Sequence, residues 1–148
     1  MTAKAYILSH SNPYQSTAFL ISYKTDYVLY LGDTGADANE KTDNLKELWK
    51  AVAPFIQSKK LKGIFIETSF ANEQPDDKLY GHLTPKLLMA EMNVLNNLSD
   101  HGLKNFPIVI THRKPGGTRE DDIKKQLLDA NNLQLQLIFP EQGKLLKF

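Results

Sequence analysis

Three short apolar segments, Tyr6–Leu8, Thr17–Tyr23 and Tyr27–Leu31, follow one another with only turn residues between them. A Ser-Asn-Pro region separates the first two, and Lys24-Thr25-Asp26 separates the second from the third. Runs this rich in β-branched and aromatic residues, joined by turns too short for a helix, have to form an opening meander of strands. The periodicity then changes. Leu45, Leu48, Trp49, Val52 and Ile56 recur at helical spacing, and so do Leu87, Leu88, Met92, Leu95 and Leu98, and Ile123, Leu127 and Leu128. Each helical stretch is followed by a compact apolar run, Ile64–Ile66, Pro107–Thr111 and Leu133–Phe139 in turn. A meander followed by three helix–strand alternations predicts an α/β layered sandwich in one domain spanning residues 1–148.

Local signals mark the element ends. Pro54 is expected to kink the first long helix or weaken its last turn, beyond which Lys59, Lys60 and Lys62 gather where cations suit a helix end. Thr84-Pro85 offers an N-cap with proline at the first helical position. Pro115-Gly116-Gly117 reads as a loop, Thr118 with Asp121 as a capping-box-like helix start, and Leu145–Phe148 as a short terminal strand. The polar stretch from Glu67 to Leu83 is long for a connection inside a domain, which predicts a functional or mobile loop.

Composition removes several classes of function. Eighteen basic residues against 17 acidic ones give a net charge of +1, so nothing favours a phosphate backbone and no nucleic-acid partner is expected. The absence of cysteine excludes disulfides, thiolate-held metals and thiol nucleophiles, leaving imidazole and carboxylate as metal donors. The longest apolar stretches, Ala18–Ile21 and Ala51–Ile56, are far below the roughly 20 residues of a membrane span, so no membrane association is expected. Lys4, Ser9, His10 and Asn12 interrupt any secretory apolar region, which favours the cytoplasm while leaving the periplasm open. Neither a P-loop nor a dinucleotide-binding glycine pattern occurs.

The polar residues of interest stand where the strands end. His10, Asp33, Glu67 and His112 each fall at or just after the C-terminal end of an expected strand, where open α/β sheets place ligand sites, and His82 lies in the long loop. Imidazole and carboxylate on one rim suit a divalent metal. Each residue also has an ordinary reading: Asp33 between Gly32 and Gly35 as a turn residue, Glu67 as a partner for lysine, the histidines as hydrogen-bonded loop residues. His101, in an Asp-His-Gly helix stop, stands apart from the set.

The segments ILSH, STAFLI, YLGDTGAD, GIFIETSF, LYGHLTP and ITHRKP, in this order, resemble the C-terminal portion of class II cyclic-nucleotide phosphodiesterases, members of the metallo-β-lactamase superfamily. Ribonuclease Z shares part of the pattern, but LYGHLTP and HRKP favour the phosphodiesterase branch. The resemblance implies a metallo-β-lactamase-like αββα sandwich, present here mainly as its C-terminal half. It implies that His10, Asp33 and His112 hold metal, two zinc ions in the intact site. It further implies that His82 protonates the leaving oxygen of a 3',5'-cyclic nucleotide (cAMP or cGMP) and that Glu67 orients His82.

One family element is missing from these 148 residues: no His-x-His-x-Asp-His occurs. The chain alone is therefore expected to be inactive or incomplete, and its sheet to carry an apolar face made for a missing half. Three accounts follow, namely a portion of a longer phosphodiesterase, a half-domain completed by a partner chain or a homo-oligomer, and a non-catalytic nucleotide-binding module.

Overall fold

The computed structural model describes residues 1–113 and 119–146. Six strands form one sheet in chain order: β1 (Thr2–Ser9), β2 (Gln15–Tyr23), β3 (Asp26–Leu31), β4 (Leu61–Glu67), β5 (Pro107–Thr111) and β6 (Gln136–Ile138). The first three are antiparallel and the last three join in parallel. Helices α2 (Asn44–Gln57), α3 (Pro85–Leu98) and α4 (Arg119–Asp129) make the parallel crossovers, and a short α1 (Asp37–Glu40) precedes them. The crossovers all step in the same direction along the sheet. Right-handed connections then put the three long helices on one face, where α2 packs on α3 and α3 on α4.

The core lies between that helical layer and alternate strand residues. Leu8, Ala18, Leu20, Leu29, Leu31, Ile64, Ile66, Ile108 and Ile110 are buried against Leu45, Trp49, Val52, Leu88, Met92, Leu95 and Ile123. The other face is open along β1 to β3, although Val109 of β5, on that same face beside Phe65, is fully buried. There Ile7 is 56% exposed, Phe19 41% and Tyr30 46%, with Phe19 beside Tyr30 in the register and Tyr30 against Phe65 at 5.9 Å. No helix among the described residues is long and apolar enough to cross a membrane.

Several local expectations change. The strand expected over Leu133–Phe139 shrinks to β6, because Gln134 adopts a left-handed φ of 55° and the Asn131 side chain takes the Leu135 amide into a turn. Pro54 sits inside α2 without ending it, in the last turn, where its ring removes the hydrogen bond to the Lys50 carbonyl with only three helical residues left beyond it. Lys62 donates to the Lys59 carbonyl just past that end. Asp43 makes no capping bond to α2. Asp37 does, its carboxylate accepting from the amides of Leu45 and Lys46 at 3.0 and 2.8 Å. Thr84 caps α3 as expected. Leu145 and Leu146 are not in a strand; the remaining terminal residues, the 115–117 loop and the Thr118 half of the capping box lie outside the described residues.

A buried carboxylate joins α1, α2 and α3. Glu91 accepts from the Trp49 indole at 2.9 Å and from the Asp37 amide at 3.3 Å. Burial raises its pKa above the ordinary 4.5, so folding favours the protonated form, and Glu91 opposes folding increasingly as pH rises through that raised value. Trp49→Phe, which leaves the carboxylate without its indole donor, is expected to cost about 1–3 kcal/mol in denaturant unfolding. In Glu91→Gln the stability difference from the parent should shift in the variant's favour as pH is raised from about 4 to about 7.

Candidate functional site

The C-terminal ends of β1, β3, β4 and β5 meet at one rim of the sheet, and each delivers one of the polar residues noted above. Backbone hydrogen bonds fix the Asp33 turn from several sides. The Asp33 carbonyl accepts from Ser16 Oγ at 2.5 Å, the Gly32 amide donates to Thr17 and the Gly35 amide to Ser9. This leaves the Asp33 carboxylate projecting from the turn, partly exposed, with Oδ1 2.7 Å from His112 Nδ1. His112 follows β5 with a left-handed φ of 46°, a conformation that non-glycine residues keep only where their surroundings enforce it. Its carbonyl lies 2.9 Å from Ser69 Oγ, whose single proton it shares with Glu67 Oε2 at 2.6 Å.

Glu67 ends β4 and is 1% exposed. Its Oε1 accepts from His82 Nδ1 at 2.6 Å and from the Thr34 amide at 3.0 Å. Its Oε2 accepts from Ser69 Oγ at 2.6 Å and the Leu83 amide at 3.3 Å. A carboxylate offers about four lone-pair sites, so all of its acceptor capacity is engaged within the protein. His82 is 6% exposed and directs Nδ1 at Glu67, which leaves Nε2 for other chemistry. Its ring lies between those of His10 and His112, at centroid distances of 4.8 and 5.2 Å.

His10 is fixed through Nδ1, 3.0 Å from the Gly81 carbonyl, a contact that selects the tautomer with Nε2 unprotonated and free to ligate. Asp33, Glu67, His82 and His112 have ligand atoms all within 4.8 Å of one another, a group able to hold a metal ion, and His10 borders it through His82. Within this set the saturated Glu67 is poorly suited to ligation. The accessible Asp33 carboxylate and His112 imidazole are donors of the kind a divalent ion takes, and His10, outside that group, keeps its Nε2 available beside it. His101 is elsewhere, its Nδ1 accepting from Asn96 at the end of α3.

Three contributors escape a reading of the sequence. Thr34 and Ser69 lie inside the GDTG and ETSF segments, but their roles depend on contacts across the chain. Gly81 is the third. At φ +75° it packs so tightly on the first loop that a Cβ there would lie 2.1 Å from the Ser11 amide nitrogen and 2.7 Å from the His10 carbonyl carbon. The residue is thus what lets the His10 and His82 loops touch.

The sequence profile of the cAMP phosphodiesterases class-II matches residues 3–143. The chain is 44% identical over 154 aligned residues to a 3',5'-cyclic-nucleotide phosphodiesterase of Aliivibrio fischeri, covering all of this chain and 46% of the relative. It is 38% identical to a probable 3',5'-cyclic-nucleotide phosphodiesterase of Yersinia pestis, of which it covers 45%. The chain therefore spans less than half the length of these relatives. Among solved structures, unliganded yeast PDE1 superposes with a TM-score of 0.81 at 27% identity, over 95% of this chain and 44% of that one. The Bacillus subtilis metallo-β-lactamase fold protein YhfI superposes at 0.61 with 18% identity, over 97% of this chain and 47% of that one, and so shares the fold.

The close approach at Gly81 yields a direct test. Gly81→Ala should separate the two loops, destabilise the chain by more than the roughly 1–2 kcal/mol of a left-handed alanine, and remove the hydrogen-bonded Nδ1 proton of His10 from imidazole NMR spectra. The His101 ring signals should not move.

Proposed function

We propose that the chain, which belongs to the class-II cAMP phosphodiesterases, is the C-terminal part of a metal-dependent phosphodiesterase that hydrolyses 3',5'-cyclic nucleotides to 5'-nucleotides. The observation that carries this reading is the buried His82–Glu67 pair, 2.6 Å apart, beside the Asp33 and His112 side chains. His10, Asp33 and His112 would hold the metal, which we take to be zinc, two ions in the whole protein. Bound ions of this kind neutralise phosphate oxygens and generate a nucleophile from water near neutral pH.

The rest falls to the chain's own residues. As the bond between phosphorus and the 3' oxygen of the ribose breaks, the departing oxygen needs a proton, and the Nε2–H of protonated His82 supplies it. Glu67 holds the opposite ring nitrogen at 2.6 Å, keeping the imidazole oriented with its Nε2 free. Thr34, Ser69 and Leu83 occupy the remaining acceptor positions of that carboxylate, so it cannot swing towards a metal. Burial of the pair keeps the short contact out of competition with water.

As a single unit over residues 1–148, the chain carries the later part of such a site and is incomplete as a catalyst by itself. Two observations support this: the sequence lacks His-x-His-x-Asp-His, and the sheet face opposite the helices leaves Ile7, Phe19 and Tyr30 exposed, as a face does that packs on a further layer. The earlier half of the domain is the occupant this reading assigns to it.

Fusing this chain to the first half of the Aliivibrio fischeri relative tests both statements. The fusion should hydrolyse cAMP, and the 148-residue chain with added zinc should not; turnover by the chain alone would overturn the incompleteness. In the fusion, His82→Ala should lower turnover about 10²–10⁴-fold with bound zinc unchanged, whereas Asp33→Ala should lose zinc. Equal zinc loss in the two variants would show that His82 is a ligand.

A further inference from the structure

The turn that carries Asp33 runs directly into α1, and both ends of this short helix are tied down. At its start the Asp37 amide donates to Glu91, and the Asp37 carboxylate accepts from the amides of Leu45 and Lys46 and from the Thr42 hydroxyl at 3.0 Å. At its end stands Glu40, 8% exposed, a buried carboxylate with no part in the chemistry assigned to His82 and Glu67. It turns the other way, towards the loop that follows β1. Glu40 Oε2 accepts from the Asn12 amide at 2.6 Å, and the Glu40 carbonyl accepts from the Asn12 side-chain amide at 3.0 Å.

Two bonds to one residue fix both the place and the orientation of that loop. The loop closes on itself as a unit, with the Tyr14 amide donating to Ser11 and the His10 amide donating to Tyr14, so whatever holds Asn12 also holds the backbone of His10. On its other side the same carboxylate presses on Gly35, where a Cβ would stand 2.5 Å from Glu40 Oε1 and 2.6 Å from its Cγ. Glu40 is therefore wedged between Asn12, two residues after His10, and Gly35, two residues after Asp33. An ionised acceptor suits this place, because a carboxylate buried to this degree needs its donor and a backbone amide bonds it more strongly than a neutral oxygen. A ligand loop fixed before binding also spares the metal the cost of ordering it.

We propose that Glu40 is a positioning residue of the metal site: by holding Asn12 against the Gly35 turn it sets His10 relative to Asp33, and so sets the affinity of this chain for a divalent ion. The proposal rests on the reading of His10 and Asp33 as metal donors.

The test compares Glu40→Ala, Glu40→Gln and Gly35→Ala with the parent, each as the full 148-residue chain, before and during addition of zinc. Glutamine keeps an oxygen for the Asn12 amide and alanine does not. The methyl of Gly35→Ala displaces the carboxylate without altering it, because the atoms it meets belong to the flexible Glu40 side chain. Without metal, the Nδ1 proton signal of His10 should broaden by exchange with water in Glu40→Ala and Gly35→Ala and persist in Glu40→Gln. The His82 Nδ1 proton and the His101 ring signals should stay in place in all three. Zinc should bind about tenfold more weakly to Glu40→Ala and Gly35→Ala, and within about threefold of the parent to Glu40→Gln. An unmoved His10 signal with unchanged zinc affinity in Glu40→Ala would overturn the proposal. So would a loss in Glu40→Gln equal to that in Glu40→Ala, which would make charge rather than the hydrogen bond responsible, or movement of the His82 and His101 signals together with His10, which would make Glu40 a support of the whole fold. Zinc that leaves His10 and Asp33 of the parent unmoved would instead sink the reading of those donors, and the metal-free His10 signal would still decide whether Glu40 holds the loop.

Discussion

The Glu67 carboxylate is the point on which the rest of the site depends. Two oxygens at the end of one strand accept from the Thr34 amide, the Ser69 hydroxyl, the His82 ring and the Leu83 amide, so the Asp33 turn and both ends of the long loop after β4 converge on a single side chain. A buried carboxylate is costly unless its lone pairs are satisfied. Here that requirement organises the loops: none of the four donors can be withdrawn without leaving an oxygen short of a partner. Ser69 Oγ also lies 2.9 Å from the His112 carbonyl, which shares the hydroxyl's one proton with Glu67 and so brings the last strand end of the rim against the same network.

The sheet makes this convergence possible. Because β3, β4 and β5 lie side by side in parallel, their C-terminal ends fall on one edge, and the antiparallel β1 and β2 bring Ser9, His10 and Ser16 to the same place. The helices on one face supply the apolar burial that holds the strands in register. The opposite face keeps Phe19, Tyr30 and Phe65 in a row across three neighbouring strands. A chain with one finished face and one open apolar face fits its alignment to less than half of longer phosphodiesterase relatives.

Much of this was legible in the sequence because it is local. The meander, the three amphipathic stripes, the Thr84 cap and the strand-end positions of His10, Asp33, Glu67 and His112 follow from periodicity and neighbouring residues. The motif pattern carried the resemblance to the family. What was not legible arises from contacts between distant segments. Asp37 caps α2 only because α1 folds back onto it, and Glu91 is hidden by its tertiary partners, Trp49 and the Asp37 amide. The Ser69 hydroxyl and the Thr34 backbone amide look like ordinary loop groups until the Glu67 oxygens are found opposite them, and Gly81 is required by the proximity of a loop 71 residues away. The shortened β6 has the same origin, in a side-chain turn set by Asn131.

The central claim is a division of labour among three histidines whose rings lie side by side. Long-range ¹H–¹⁵N imidazole spectra recorded during a zinc titration read it directly. The account predicts that the His10 and His112 nitrogens move to metal-bound values while His82 keeps its Nδ1 proton on Glu67 and an unligated Nε2. Metal-bound shifts at His82 Nε2, with His10 unmoved, would contradict it.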